Sequence, residues 1–326
     1  MATTRKTIVD KSGRTIEMRS TPDFAFDPAF DSFLILHENG CDNHTLTLVL
    51  KVHLKQVAPT SFNIPFLGKL TLPFPDADDT PFAIKPWNPA DFSAFTRSFL
   101  RQCAHWTNKF WLTPPATFSG LDYKLGKSTV RPNIYCHLHV DLVGSPGDAH
   151  RTIEVVNLDR AAAARQLGKK VSDLDASDFR STDRTYDSLD VKPVPIPFPD
   201  DKGKTHKLNR STVAHEIGHA LGLPHIGVSH KAPLCSLAVV ADGLLPDSVT
   251  SSASFPALLQ GGSNSNACYG HSGPVNLGSN VMGYGLDFDA TNATPWLDRI
   301  ALHTGTTASG WKVSVKHKVA PRVSVS

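Results

Sequence analysis

The chain has 326 residues, of which 40% are hydrophobic and 19% are charged. This length and composition exclude a disulfide-stapled miniprotein and a coiled coil, and they are typical of a folded protein that buries roughly three quarters of its unfolded surface. The net charge is only +3, with 33 Lys and Arg against 30 Asp and Glu, so it offers no electrostatic reason to expect nucleic acid as a partner.

The N-terminal region predicts short strands and no export signal of the Sec type. Residues 1–14 contain basic side chains without a following apolar segment, so we expect no Sec signal peptide. No apolar run approaches the ~20 residues that cross a bilayer, so we expect no membrane span. Localisation stays open, and export by a non-Sec secretion system, as a toxin or effector, is one hypothesis. Residues 1–40 predict a β extension with strands at Thr7–Val9, Arg14–Met18 and Ser32–His37.

The next part of the chain alternates strand and helix patterns. Apolar and polar residues alternate over His44–Val57, which predicts a half-buried strand. Aromatic residues then recur at steps of three and four, which predicts an amphipathic helix over Pro89–Trp111. Two strands rich in β-branched and aromatic residues are expected at Asn133–Leu142 and Arg151–Val156. Asp159 is the expected N-cap of a short helix.

The second half contains an acidic stretch and two further helices. Residues 172–190 contain six Asp, which we interpret as a solvated loop, with a calcium site as the alternative. A helix is expected to begin near Ser211. Another is expected with Thr294 as N-cap, Pro295 at its first position and Gly305 after its end.

One segment has the residues and spacing of a catalytic metal site. It reads HEIGHALGLPH and matches HExxHxxGxxH with His215, Glu216, His219, Gly222 and His225. On a helix, His215 and His219 are about one turn apart, so both imidazoles can bind one ion. Glu216 lies at the flank of that face, where its carboxylate can accept a proton from a water molecule. We therefore predict that Glu216 is a base and not a metal ligand.

The third histidine requires the helix to end. Continued as a helix, the chain would point His225 away from the ion, because six residues correspond to about 600° of rotation. Gly222 can adopt the left-handed conformation that ends a helix, and Pro224 cannot continue one. The chain can then turn back and bring His225 to the ion. Three neutral imidazoles leave zinc one open coordination position, as in catalytic sites.

This segment resembles the zinc-binding signature of the metzincin metalloendopeptidases, which also have a Met-containing turn further along the chain. The sequence has such a turn at 280–285, with Met282 and Tyr284 in the Met-x-Tyr form of astacins and serralysins. The resemblance implies that Met282 forms a hydrophobic floor beneath the ligands. It also implies that Tyr284 contacts the zinc or the transition state.

The resemblance further implies an α+β zincin, with a twisted mixed β-sheet, a zinc-binding helix, the Met-turn and a C-terminal helix. The catalytic domain would span 41–305, its upper part ending at 225 and its lower part covering 226–305, followed by a C-terminal strand or tail at 306–326. Between His225 and Met282 lie 56 residues, more than in matrixins. These residues include Cys235 and Cys268, whose bonding the sequence leaves open.

The expected function is that of a zinc-dependent metalloendopeptidase that hydrolyses protein or peptide substrates. One zinc ion is held by His215, His219 and His225, Glu216 takes the proton from the attacking water, and Tyr284 stabilises the oxyanion. Two alternatives stay open. One is a zinc amidase acting on a cell-wall peptide, and the other is a non-catalytic zinc-binding module. The sequence does not indicate an oligomeric state.

Overall fold

The structure, a computed structural model, describes most of the chain. It covers residues 4–9, 15–20, 30–36, 43–64, 68–76, 79–200, 202–245, 249, 260, 262–271, 273–315 and 318–325. The architecture is mixed α+β, with a curled, mixed β-sheet and several helices. Among these residues, no helix combines the length and apolar character that crossing a membrane requires.

The strands are short apart from one central strand of 13 residues. In chain order they are β1 (Thr4–Val9), β2 (Thr15–Ser20), β3 (Asp31–Ile35), β4 (His44–Gln56), β5 (Ser61–Ile64), β6 (Gly68–Thr71), β7 (Phe74–Pro75), β8 (Pro81–Phe82), β9 (Phe110–Thr113), β10 (Tyr123–Leu125), β11 (Ser128–Arg131), β12 (Ile134–Leu142), β13 (Arg151–Val156), β14 (Thr185–Asp187), β15 (Val194–Pro199), β16 (Thr205–Arg210), β17 (Lys312–Val315) and β18 (Arg322–Val325).

The main sheet has nine strands within the described part of the chain and is built around β4. Its order is β1-β2-β3-β4-β12-β9-β17, and β13 pairs with both β4 and β14. The β4–β12, β4–β13 and β13–β14 pairs are parallel, and the other pairs are antiparallel. The N-terminal strands and the late strand β17 therefore extend the same sheet. The strand predictions for His44–Val57, Asn133–Leu142 and Arg151–Val156 are confirmed to within one residue at each end.

The described residues also form several helices. They are α1 (Pro89–Cys103), α2 (Arg160–Leu167), α3 (Thr212–Ala220), α4 (Ile226–Ser229), α5 (Pro233–Leu244), α6 (Val275–Gly278) and α7 (Thr294–Thr304). The Asp159 side chain caps α2 as predicted, accepting from two backbone N–H groups.

Two helix predictions were wrong in detail. The helix predicted over Pro89–Trp111 ends at Cys103. One 3₁₀ turn follows, and Asn108 then adopts a left-handed conformation with φ 62°, which a continuing helix does not allow. Phe110 lies on β9 instead, where it is still buried. Thr294 is the first residue of α7 and not its N-cap, because a preceding 3₁₀ turn delivers the chain already in helical conformation; Gly305 ends α7 as predicted.

The largest apolar core lies between the sheet and helices α1, α3 and α7. Alternate side chains of β4 enter it, and their burial follows from the two-residue period of a strand. Its members include Leu48, Phe99, Trp106, Ile217, Met282 and Trp296. Because residues of α3 and of the predicted Met-turn share this core, the packing of the whole domain determines where the histidine segment lies.

Candidate metal and catalytic site

The helix that carries two of the histidines begins and ends for local reasons. The Ser211 side chain caps α3 by accepting from the Ala214 N–H at 3.2 Å, which satisfies one of the free donors of the first turn. Gly222 adopts φ 85° directly after the helix, a conformation that a residue with a Cβ rarely adopts. The prediction of a helix from near Ser211 that ends before Gly222 is confirmed.

The structure brings His215, His219 and His225 together. The Nε2 atom of His219 lies 3.2 Å from that of His215 and 3.1 Å from that of His225. All three ligand atoms lie within 4.8 Å of one another. Among the described residues, these histidines form the one group of three or more His, Cys, Asp or Glu side chains that could hold a metal ion. Both His215 and His225 are buried, and His219 is partly buried.

Backbone carbonyls set the tautomers of two imidazoles. Nδ1 of His215 donates to the Val281 carbonyl at 2.8 Å, and Nδ1 of His219 donates to the Leu223 carbonyl at 2.8 Å. A neutral imidazole has one N–H, so both Nε2 atoms present lone pairs. Burial, the largest cause, lowers the pKa of both rings. The Nε2 atoms of His215 and His219 are therefore neutral lone-pair donors, and a cation between them would relieve the repulsion of their lone pairs.

Glu216 is buried beside this cluster and does not belong to it. Its side chain is 6% exposed, and burial raises its pKa to about 8, against the opposing effect of Arg210. A carboxylate whose pKa is raised this far binds a proton more strongly than an exposed one, which is the property that a general base uses.

The segment 280–285 lies directly against α3. Besides the contact of its Val281 carbonyl with His215, the Met282 carbonyl accepts from the Ile226 N–H at 3.0 Å. The Met282 side chain is 1% exposed, and its Sδ lies 2.2 Å from the position that a Cβ on Gly218 would occupy. Met282 therefore packs on the helix between the two histidines.

Two tyrosines occupy this side of the molecule, and the sequence indicated one of them. The hydroxyl of Tyr284 donates to Asn266 at 2.8 Å. Tyr269 lies nearer the imidazoles, its ring centroid 4.0 Å from that of His225 and 5.5 Å from that of His215. Burial raises the pKa of Tyr269 to about 12, so its hydroxyl keeps its proton. No local motif marks Tyr269, so sequence reasoning missed it.

A disulfide holds the chain next to Tyr269. Cys235 and Cys268 are bonded, which answers the question that the sequence left open. The Cys268 carbonyl also accepts from the Gly227 N–H at 2.7 Å. Tyr269 is thus fixed to the segment that follows His225.

The acidic stretch 172–190 is only partly solvated, so that interpretation was wrong at two positions. Asp187 and Asp190 have 0% exposure, because β14 and the chain after it pack into the interior. Burial raises the pKa of Asp190 to about 7 and that of Asp187 well above its ordinary value. Ser181 donates to Asp190 at 2.5 Å.

Comparison with known proteins gives no further guide to the site. No family model matches the chain, and neither the curated proteins nor the solved structures include a significant match.

Proposed function

We propose that this chain is a zinc-dependent metalloendopeptidase of the metzincin type. The observation that carries the proposal is the convergence of three imidazole Nε2 atoms beside a buried glutamate. Zinc prefers such nitrogen donors, and a three-histidine set leaves it a position open for chemistry. In this proposal the α+β domain is a metzincin-like zincin, with β4 and α3 in its upper part and the Met282 turn and α7 in its lower part.

The donor set fits one zinc ion. With Nδ1–H of His215 and His219 held by carbonyls, their Nε2 lone pairs point to a common centre, and such partners of the distal nitrogen orient histidine ligands and raise their basicity. A bound zinc ion would supply Lewis-acid polarisation of a peptide carbonyl and of a water molecule.

The side chains of the protein would perform the proton transfers. Glu216 takes the proton of the attacking water and returns it to the leaving amine, which its burial and raised pKa favour. Tyr269 and Tyr284 keep their phenolic protons, because burial raises the pKa of each. Tyr269, which lies nearer the imidazoles, can therefore donate to an oxyanion, whereas Tyr284 must first release its hydrogen bond to Asn266.

Glu216→Gln tests the proposal because it removes the base and keeps the volume of the side chain. Zinc content should stay near one equivalent, and hydrolysis of denatured casein should fall by ~10²- to 10⁴-fold, the usual worth of a positioned base. Glu154→Gln is the matched control, since Glu154 lies on β13 and pairs with Lys55 at 2.7 Å.

The remaining outcomes separate the alternatives. Turnover of cell-wall peptides without casein hydrolysis would contradict the peptidase proposal and support the amidase. Bound zinc with no turnover of either material would indicate a binding module. Less than about a tenth of an equivalent of zinc after metal-replete purification would contradict the metal site itself.

A further inference from the structure

We propose that Arg210 recognises a carboxylate on the substrate, next to the histidine cluster. This inference rests on the proposed function and names the class of substrate that the site prefers. Arg210 is the last residue of β16 and directly precedes Ser211, the N-cap of α3. Its position is therefore tied to the helix that carries His215 and His219.

The guanidinium of Arg210 lies over the two tyrosines of the site. Its Cζ is 5.9 Å from the ring centroid of Tyr269 and 5.7 Å from that of Tyr284. Along β16 the side chains alternate, with Lys207 exposed and Arg210 half-buried. A guanidinium over aromatic rings keeps its edge donors free to bind an acceptor.

Arg210 makes no close ion pair within the described part of the chain, although its charge lowers the pKa of the nearby carboxyl groups of Glu216 and Asp190 against the larger effect of burial. Among the described residues no carboxylate lies within 4.0 Å of it, and its Nε is buried without a hydrogen-bond partner. Two of the acidic groups nearby have partners through one carboxylate oxygen each, while the second oxygen of Asp190 is buried without one. Asp183 pairs with Arg151 at 3.3 Å, and Asp190 accepts from Ser181 and from the Asp187 N–H at 2.7 Å.

A buried N–H group without an acceptor costs free energy. An incoming acceptor that binds it therefore contributes more binding free energy here than at an exposed arginine. A carboxylate fits the planar fork of a guanidinium with two charge-assisted hydrogen bonds. Two sources have this chemistry, an Asp or Glu side chain near the scissile bond and a free C-terminal carboxylate. The aromatic faces of Tyr269 and Tyr284 would exclude water from either.

Peptide cleavage profiles test the inference and distinguish the two sources. The zinc-loaded protein is incubated with a mixed library of 12-residue peptides, and the products are sequenced by mass spectrometry. Synthetic copies of the best substrate then carry either Glu or Gln at the selected position, and either a free or an amidated C-terminus. We expect kcat/KM to be about 10- to 150-fold higher for one carboxylate form, the usual worth of a hydrogen bond to a charged group.

Substitutions connect that preference to Arg210. Arg210→Gln should abolish it, and Arg210→Glu should favour a Lys at the same position. The matched control is Lys207→Gln, on the outer face of the same strand, which should keep the wild-type profile. If Arg210→Gln does not fold, equal kcat/KM of the wild-type protein for the carboxylate and neutral forms still refutes the inference.

A binding measurement provides a readout independent of turnover. Titration calorimetry on the zinc-loaded Glu216→Gln protein should show the same 10- to 150-fold preference in Kd, and the additional Arg210→Gln substitution should remove it. Equal Kd values for the acidic and neutral peptides would overturn the inference while leaving the peptidase proposal standing. If no peptide is hydrolysed by the wild-type protein with zinc bound, the proposed function fails first.

Discussion

Gly218→Ala tests the packing beneath the proposed metal site. A Cβ on Gly218 would lie 2.2 Å from Sδ of Met282 and 2.9 Å from Cζ2 of Trp106. Both side chains are buried, and Nε1 of Trp106 donates to the Ala214 carbonyl at 2.8 Å. Non-bonded heavy atoms pack at about 3.5–4.0 Å, so either the thioether or the helix must move by more than about 1 Å.

The expected loss of stability combines two opposing effects. Overpacking a core costs about 1–3 kcal/mol, and Ala is about 1 kcal/mol better than Gly inside a helix. Because the closest distance at Gly218 is so short, we expect the upper part of this range, a net loss of about 1–2 kcal/mol and a Tm lower by roughly 1.5–3 °C. Since His215 and His219 flank Gly218, the Kd for zinc should rise by about tenfold or more.

Thermal unfolding and zinc titration check this expectation. Gly243→Ala is the matched control, because Gly243 lies in helix α5 and a Cβ there meets nothing within 4 Å. It should raise stability by up to about 1 kcal/mol without changing zinc affinity. If both variants change stability by the same amount and bind zinc as tightly as the wild-type protein, Met282 does not support the histidines as argued.

Three further perturbations have defined outcomes. Tyr269→Phe should lower kcat by about ten- to a thousandfold at unchanged zinc content. The loss should exceed that of Tyr284→Phe, because the Tyr284 hydroxyl is already bonded to another side chain. If both variants keep the kcat of the wild-type protein, the two tyrosines are packing residues. Reducing the Cys235–Cys268 bond, which spans 33 residues, should lower the free energy of unfolding by about 3–4 kcal/mol, measured by urea unfolding with and without reductant. Burial holds the pKa of Asp190 at about 7 against an ordinary 3.8, so between pH 4 and 7 this carboxyl ionises in the unfolded chain but stays protonated in the folded one, and the free energy of unfolding falls by up to about 1.4 kcal/mol per pH unit. Asp190→Asn removes this loss, so the free energy of unfolding of the variant should rise relative to that of the wild-type protein between pH 4.5 and pH 7. A difference between the two proteins that stays constant with pH would contradict the burial of an ionisable pair.

Features that depend on neighbouring residues were predictable from the sequence. The alternation over His44–Val57 anticipated strand β4, because a two-residue period is a local property of the backbone. The cap at Ser211 and the left-handed Gly222 likewise follow from residues within one or two turns. The spacing of the three histidines therefore predicted their convergence, which the structure shows.

Predictions that depended on distant packing were less reliable. The period of three and four continued past Cys103, yet the helix ends there because Trp106 and Phe110 enter the same core from a turn and a strand. The acidic composition of 172–190 indicated solvation, but Asp190 is buried by contacts that composition does not encode.

The sequence by itself determined the chemistry of the candidate site, since His215, Glu216, His219 and His225 lie within one helix and the turn that follows it. The tertiary structure decided what surrounds that chemistry. Tyr269 is 44 residues beyond His225 in the chain, and no spacing rule relates the two, yet their rings lie 4.0 Å apart. Local periodicity positions residues within one element, whereas contacts between elements are set by how their apolar faces share a core.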